Sequence, residues 1–343
     1  MKHKQMYLRN VLLIAIMTIM WACTESDQKE IVCWGDSLTA PHNGKSLKGK
    51  VKRLLKGASY PEHLQEMLGD EYKVINGGVG GENTLTIMAR QGAYPMKLAH
   101  AITIFNSDET KYKTFIGNSD LTAFVSTYNG KRVTPLLQGG WDEYSPAQVN
   151  PCYIDGKSYH LISEAKFWKE EGIYKHEYNY YIKPNAKQDK TDTLKAGNVI
   201  TTYAMQNLRE KHANIFFIGQ NGGFDDTADL IRQLKAMISH SRSDRYIVIS
   251  FHNPNIPINS ISRMKEMEDS LQQTFGNHFI NLRNYMVTRG LADGGLMATK
   301  EDLDSIAKGK VPPQLMTDGT HFTSTGYKEI AKLVLEKMKE LGY

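Results

Sequence analysis

The chain has little cysteine, three in 343 residues. Three cysteines cannot form a disulfide framework, so the fold must rest on an ordinary hydrophobic core. No Cys/His cluster has metal-ligand spacing, so no metal or other cofactor is expected. An excess of one charge is also missing, since 42 Lys and Arg face 37 Asp and Glu. A surplus this small leaves no basic footprint for a nucleic-acid partner. Long hydrophobic runs are absent as well. The apolar stretch Val11–Ala22 spans 12 residues, short of the ~20 that cross a bilayer. What remains, 41% hydrophobic and 23% charged residues, suits a globular protein with a sizeable core. The length fits one α/β domain carrying a large insertion.

Lys2, Lys4 and Arg9 precede Val11–Ala22, the pattern of a targeting segment over residues 1–22. It ends in Met20-Trp21-Ala22-Cys23, and a small residue before a cysteine resembles a bacterial lipoprotein signal. That resemblance implies a lipidated Cys23 as the new N-terminus, membrane attachment through that lipid, and a place in the bacterial cell envelope. Residues 23–30 read as a tether. Its Thr24-Glu25-Ser26-Asp27 resembles the acidic signal that sends some Bacteroidota lipoproteins to the outer surface of the outer membrane. A plain secretory signal and an uncleaved anchor are the alternatives. Removing residues 1–22 leaves 39 basic against 37 acidic residues, a net charge of +2.

Beyond the tether, the texture is α/β at both ends and β-rich between them. Ile31-Val32-Cys33 is a short apolar run that stops at Trp34-Gly35-Asp36-Ser37-Leu38, as a buried parallel strand does when it meets a tight turn. A helix is expected over 60–68, with Pro61 in its first turn, and a strand over 72–75. Four glycines then fall within 77–81, followed by a helix over 84–90. This spacing fits a dinucleotide loop poorly, and it follows the second strand; its backbone N–H groups suit an oxyanion better. Helices are expected over 191–211, 225–240, 260–275, 300–307 and 324–341, alternating with strands near 215–218, 246–251 and 278–281. Such alternation implies a parallel sheet covered on both faces.

Residues 93–195 read as a small all-β insertion, with short strands and hairpin signals at Asn129-Gly130 and Asp155-Gly156. Its aromatics, Trp141 and Trp168 among them, would form either a thin core or a platform for sugar rings. The lysine-rich loop His42–Ser59 is either a solvated surface or a lining for an acidic substrate.

Serine chemistry needs a base, and the base needs an orienting acid. Asp318 and His321 supply both from one turn. Gly35-Asp36-Ser37-Leu38, the Asn76–Thr84 stretch, Gly219-Gln220-Asn221 and Asp318-Gly-Thr-His321 together resemble, in order, the four blocks of an SGNH/GDSL-type serine hydrolase. The resemblance covers residues 31–92 and 210–340. It implies a flavodoxin-like three-layer α/β/α sandwich with about five parallel strands. Its two parts would be 31–92 and 196–343. The triad it implies is Ser37, His321 and Asp318. The oxyanion donors it implies are the N–H groups of Ser37 and Gly81, with Gly78 as second choice, and the Asn221 amide. The third block departs from the usual G-x-N-D, because Gly222 follows Asn221. His252-Asn253-Pro254 at a strand tip reads as a structural turn or as a pocket wall. The activity implied is ester hydrolysis, with a glycan O-acetyl ester as the first substrate. A lipase, lysophospholipase or thioesterase is the second reading, and a non-catalytic glycan-binding surface lipoprotein the third.

Overall fold

The computed structural model describes residues 28–40, 57–105, 112–117, 127–128, 131–132, 149–170, 173–186 and 190–343. The signal segment, Cys23, the lysines of the 42–59 loop and Trp141 lie outside the described residues. Strand β1 (Lys29–Gly35), helix α1 (Tyr60–Leu68), strand β2 (Tyr72–Gly78) and helix α2 (Thr84–Gln91) come first. The β-rich part comprises β3 (Ile102–Ile104), β4 (Tyr112–Gly117), β5 (Thr127–Tyr128), β6 (Lys131–Arg132), β7 (Cys152–Ile154), β8 (Lys157–Glu170), β9 (Ile173–Pro184) and β10 (Asp192–Leu194). The second α/β part contains α3 (Tyr203–Asn207), β11 (Ala213–Phe217), α4 (Thr227–Ser241), β12 (Tyr246–Ile249), α5 (Ile261–Phe275) and β13 (Phe279–Ile280). It ends with α6 (Leu282–Thr288), α7 (Gly290–Asp293), α8 (Lys300–Ala307) and α9 (Ser324–Leu341).

Five strands form one parallel sheet in the order β13-β12-β11-β1-β2. The period-2 alternation of a strand decides which face each residue covers. Ile31 and Cys33 of β1 join Ile215 and Phe217 of β11 on one face, under Tyr60 and Leu64 of α1 and Ile330 and Val334 of α9. Val32 and Trp34 join Phe216 and Val248 on the other, under Met88 of α2, Leu234 of α4 and Met267 of α5. Both faces are apolar because both are covered, which is why β1 reads as a continuous hydrophobic run. The architecture is α/β, with helices on both sides of a five-stranded parallel sheet. A buried Trp34 Nε1–Asn214 Oδ1 hydrogen bond of 3.0 Å satisfies the one polar atom the indole brings into the core.

The β-rich part has a core of its own, including Ile104, Cys152, Leu161 and Ile182, to which α2 contributes Leu85 and Ala89. Its main sheet has the order β4-β9-β8-β7, antiparallel where the strands pair. The Asp155-Gly156 hairpin signal is used: Ile154 pairs with Lys157, with Asp155 and Gly156 both at positive φ. Tyr128 pairs with Lys131, and Asn129-Gly130 lies outside the described residues. Cys33 and Cys152 are buried in separate cores. Burial pushes the Cys33 thiol up to about 12, so it is a packing residue and not a nucleophile.

One expectation fails. Residues 191–211 are not a single helix. They contain β10, a turn with Gly197 at φ +83, isolated bridges at Val199 and Thr201, and only the short α3. The β-branched run Val199–Thr202 prefers extended backbone, and Thr202 then caps α3 by accepting from the Met205 N–H. The strands β8 and β9 are also far longer than expected, at 14 and 12 residues.

Strand β2 continues through Gly77 and Gly78, which carries the glycine segment to the edge of the first turn. A Cβ on Gly78 would stand 2.3 Å from the Ala40 nitrogen, against backbone that cannot swing away. Gly78→Ala is therefore expected to lose about 1–3 kcal/mol in chemical denaturation. Gly319→Ala, where nothing lies within 4 Å, should stay within about 0.5 kcal/mol of the parent. Equal stability of the two variants would refute the close approach.

Candidate active site

The turn after β1 is built by Asp36. Its carbonyl accepts from the Thr39 and Ala40 N–H groups at 3.1 and 2.9 Å. Its carboxyl Oδ1 accepts from the Leu38 N–H at 2.9 Å. The turn is thereby closed around Ser37, with the side chain of Asp36 fully buried beneath it. Asn76 ties the turn to β2: its Nδ2 donates to the Thr39 carbonyl at 2.7 Å, and its Oδ1 accepts from the Gly78 N–H at 3.0 Å.

Ser37, His321 and Asp318 come together. Ser37 Oγ lies 2.9 Å from His321 Nε2. His321 Nδ1 lies 2.9 Å from Asp318 Oδ2. The other carboxylate oxygen accepts from the Thr320 and His321 backbone N–H groups, both at 2.6 Å. Asp318 thus fixes its own turn with one oxygen and the imidazole with the other. Burial pushes the Asp318 carboxyl up, but the bonds from the His321 N–H, the imidazole and the Thr320 N–H outweigh it and hold it below the usual range. An ionised carboxylate there fixes which ring nitrogen carries the proton, and leaves Nε2 to accept from the serine.

Two further turns meet at the same edge of the sheet. The Gly222 carbonyl accepts from the Thr84 N–H at 3.1 Å, and Asn221 Nδ2 donates to the Glu82 carbonyl at 3.0 Å. Asn221 Nδ2 also lies 3.3 Å from Asp36 Oδ2. Asn221 does not cap the following helix; Asp226 does, accepting from the Asp229 N–H. Gly81 has φ +79, open to glycine and strained for other residues. Its N–H meets no acceptor among the described residues, whereas the Gly78 N–H is taken by Asn76.

Beneath the 77–82 turn lies a buried ion pair that inspection of the sequence did not single out. Arg90 Nε and Nη2 donate to the Glu82 carboxylate at 3.0 and 2.7 Å, and Nη2 also reaches the Gly77 carbonyl at 2.9 Å. The guanidinium stands 5.6 Å from the Trp34 ring centre. Arg90 therefore ties α2, the glycine turn and β1 together. Its sequence signal is a lone cation on a helix whose residues are all buried.

His252 is 2% exposed at the tip of β12. Its ring packs on Phe322, with centres 4.4 Å apart. Burial, and then the neighbouring His321, push its pKa down to about 3, so the ring is neutral. The loop it begins is fastened to Gln220, whose side chain donates to the Asn253 carbonyl at 3.0 Å. Trp168 lies in β8, paired in register with Lys175 of β9.

Among the described residues no cation stands beside Asp36. Burial pushes its carboxyl up to about 7; the Leu38 N–H opposes this and the Glu82 charge adds to it. A folded pKa above the unfolded value of about 3.9 stabilises the fold fully at low pH. That stability is lost as pH rises toward about 7. Asp36→Asn keeps an acceptor for the Leu38 N–H and cannot ionise. The variant is expected to lose less stability than the parent between pH 5 and pH 8, by on the order of 2 kcal/mol in chemical denaturation. Parallel curves for the two proteins would contradict the assignment. No family model, curated protein or solved structure matches this chain.

Proposed function

We propose that this chain is a serine esterase of the SGNH/GDSL type, lipid-anchored at Cys23 in a bacterial cell envelope, and that it removes acyl groups from a glycan. The observation that carries the reading is the unbroken Ser37–His321–Asp318 hydrogen-bond chain, with both links at 2.9 Å. His321 Nε2 takes the Ser37 proton as Oγ bonds to the ester carbonyl carbon. The tetrahedral oxyanion lies against the N–H groups of Ser37 and Gly81 and the Asn221 amide. As the intermediate collapses, the C–O bond to the alcohol breaks, and His321 returns the proton to the departing oxygen. Water, deprotonated by the same imidazole, then releases the acid and restores Ser37.

The oxyanion reading is supported by the placement of its donors. Asn221 spends one amide hydrogen on the Glu82 carbonyl and directs the other toward Asp36 at 3.3 Å. That is a long contact which a full oxyanion charge would outcompete. On this reading residues 93–195 are a small all-β domain inserted into the hydrolase fold. Its core shares Leu85 and Ala89 of α2, the helix that follows the Gly81 turn, and this supports a role in shaping the substrate cleft.

One observation favours a longer acyl group. Ile256 is 77% exposed, and its carbonyl would lie 3.0 Å from a Cβ on Gly222, beside Asn221. An exposed apolar side chain at the oxyanion side suits an acyl chain, as in a lipase or thioesterase. Turnover of aryl acetate and aryl octanoate by the purified protein separates the two readings: acetate preference is expected, and octanoate preference would reverse it. Ser37→Ala should abolish turnover of both esters, and Asn221→Ala should lower kcat by roughly 10²–10³. Undiminished activity in Ser37→Ala would end the esterase reading.

A further inference from the structure

Ser37 comes from the turn after β1, whereas Asp318 and His321 come from the turn just before α9. The turns after β1, β2 and β11 are laced to one another at the sheet edge, through Asn76 to Thr39 and Asn221 to Glu82. The 317–321 turn follows no strand of that sheet. Its internal bonds fix its shape. The Thr317 N–H donates to the His321 carbonyl at 2.8 Å, and Asp318 Oδ1 accepts from the Thr320 and His321 N–H groups at 2.6 Å. None of these bonds sets how far the turn stands from Ser37.

The bond from His321 to Ser37 spans that gap, but it is the bond along which the proton moves, so it is remade in every cycle. Packing does not brace the turn on every side either. A cavity of about 480 Å³ is lined by Thr317, Asp318 and Gly319 together with His252, Asn253 and Met316. A second fastening is present: Asn253 Nδ2 donates to the Gly319 carbonyl. Asn253 is in turn held by its backbone. Its carbonyl accepts from Gln220 Nε2 at 3.0 Å, and its N–H donates to Gln220 Oε1 at 3.3 Å. Asn255 Nδ2 donates to the Gln220 carbonyl. Gln220 is buried and immediately precedes Asn221. A route of hydrogen bonds therefore joins the Asn221 turn, through Gln220 and Asn253, to the turn that carries Asp318 and His321. The His252 ring, packed on Phe322, adds an apolar contact across the same join.

We infer that Asn253 is a positioning residue of the site: its amide clasps the Gly319 carbonyl and so fixes the acid–base turn relative to Ser37 and Asn221. Asn253 touches no reacting atom and acts through the placement of His321. The clasp follows from the hydrogen bonds alone; its effect on turnover rests on the esterase reading above. Misplacing a catalytic group by ~1 Å can cost about 10²-fold in rate. A single amide–carbonyl bond at a half-buried side chain contributes little to global stability. Its loss should therefore register in turnover far more than in folding.

The test combines steady-state hydrolysis of aryl acetate with ring ¹⁵N spectra of the full-length protein. Asn253→Ala removes the donor; Asn253→Asp keeps the shape and turns an oxygen toward the Gly319 carbonyl. Both variants are expected to lose at least about tenfold in kcat, with KM within about twofold of the parent. The ring resonances of His321 should move in both, while those of His278, at the far end of β12, stay in place. An unchanged kcat, a loss expressed in KM alone, or an unmoved His321 ring would overturn the clasp and leave the esterase reading intact. If the parent hydrolyses no ester and the His321 ring still moves, the clasp stands and the esterase reading ends. No turnover together with an unmoved ring would overturn both.

Discussion

Gly35 pairs in register with Gly78 on one side and with Phe217 on the other. The chemistry of the molecule depends on this alignment of three parallel strand ends. Because the strands run parallel, the turns that leave them all emerge at one edge of the sheet. The Ser37 turn follows β1, the Gly81 turn follows β2 and the Asn221 turn follows β11. Close backbone approach makes the alignment rigid: a Cβ on Gly35 would meet the Phe217 carbonyl at 2.8 Å, and one on Gly78 would meet Ala40 at 2.3 Å. The bonds Thr84 N–H to Gly222 and Asn221 to Glu82 then lace the turns to one another. The His321 turn, just before α9, completes the arrangement by meeting Ser37 across 284 residues of chain.

Three buried or half-buried carboxyls near that edge show how environment divides one chemical group into different tasks. Asp318 gathers hydrogen bonds from two backbone N–H groups and an imidazole, and stays ionised. Asp36 accepts from the Leu38 N–H, has no cation among the described residues, and is carried by burial toward neutrality near pH 7. Glu82 is matched by Arg90 in a bidentate pair, whose remaining reach fixes the Gly77 carbonyl. Breaking such a pair by removing one partner commonly costs about 3–5 kcal/mol, so the glycine turn rests on a stiff polar support. On the proposed esterase reading such a support matters, because preorganised N–H donors stabilise a developing charge best when they do not move.

The parts of the site that were legible in the sequence are those with short-range signatures. Gly35–Leu38 closes a β-run, Asp318 and His321 are three apart, and the glycines at 77–81 follow a strand. The parallel sheet was readable because every strand in it is flanked by helical spacing, and Ser324–Leu341 shows that spacing over its full length. What was not legible depends on contacts between distant residues. The pair Glu82–Arg90 is an interaction of burial, and a lone cation on a short helix is the one local mark it leaves. His252 reads as a turn residue or a pocket wall, and its burial against Phe322 is visible only in the structure. Residues 191–211 look helical by composition, yet β10 pairs with β3 almost ninety positions earlier. Tertiary pairing of that range overrides local propensity.

The central claim is that Ser37 is a nucleophile activated by His321. The most direct measurement is mass spectrometry of the protein after reaction with an alkyl fluorophosphonate, in which Ser37 Oγ would bond to phosphorus and fluoride would leave. The account predicts a single phosphonyl adduct on Ser37, formed in the parent and lost in His321→Ala. No adduct, an adduct on another residue, or equal labelling of Ser37 in His321→Ala would contradict it.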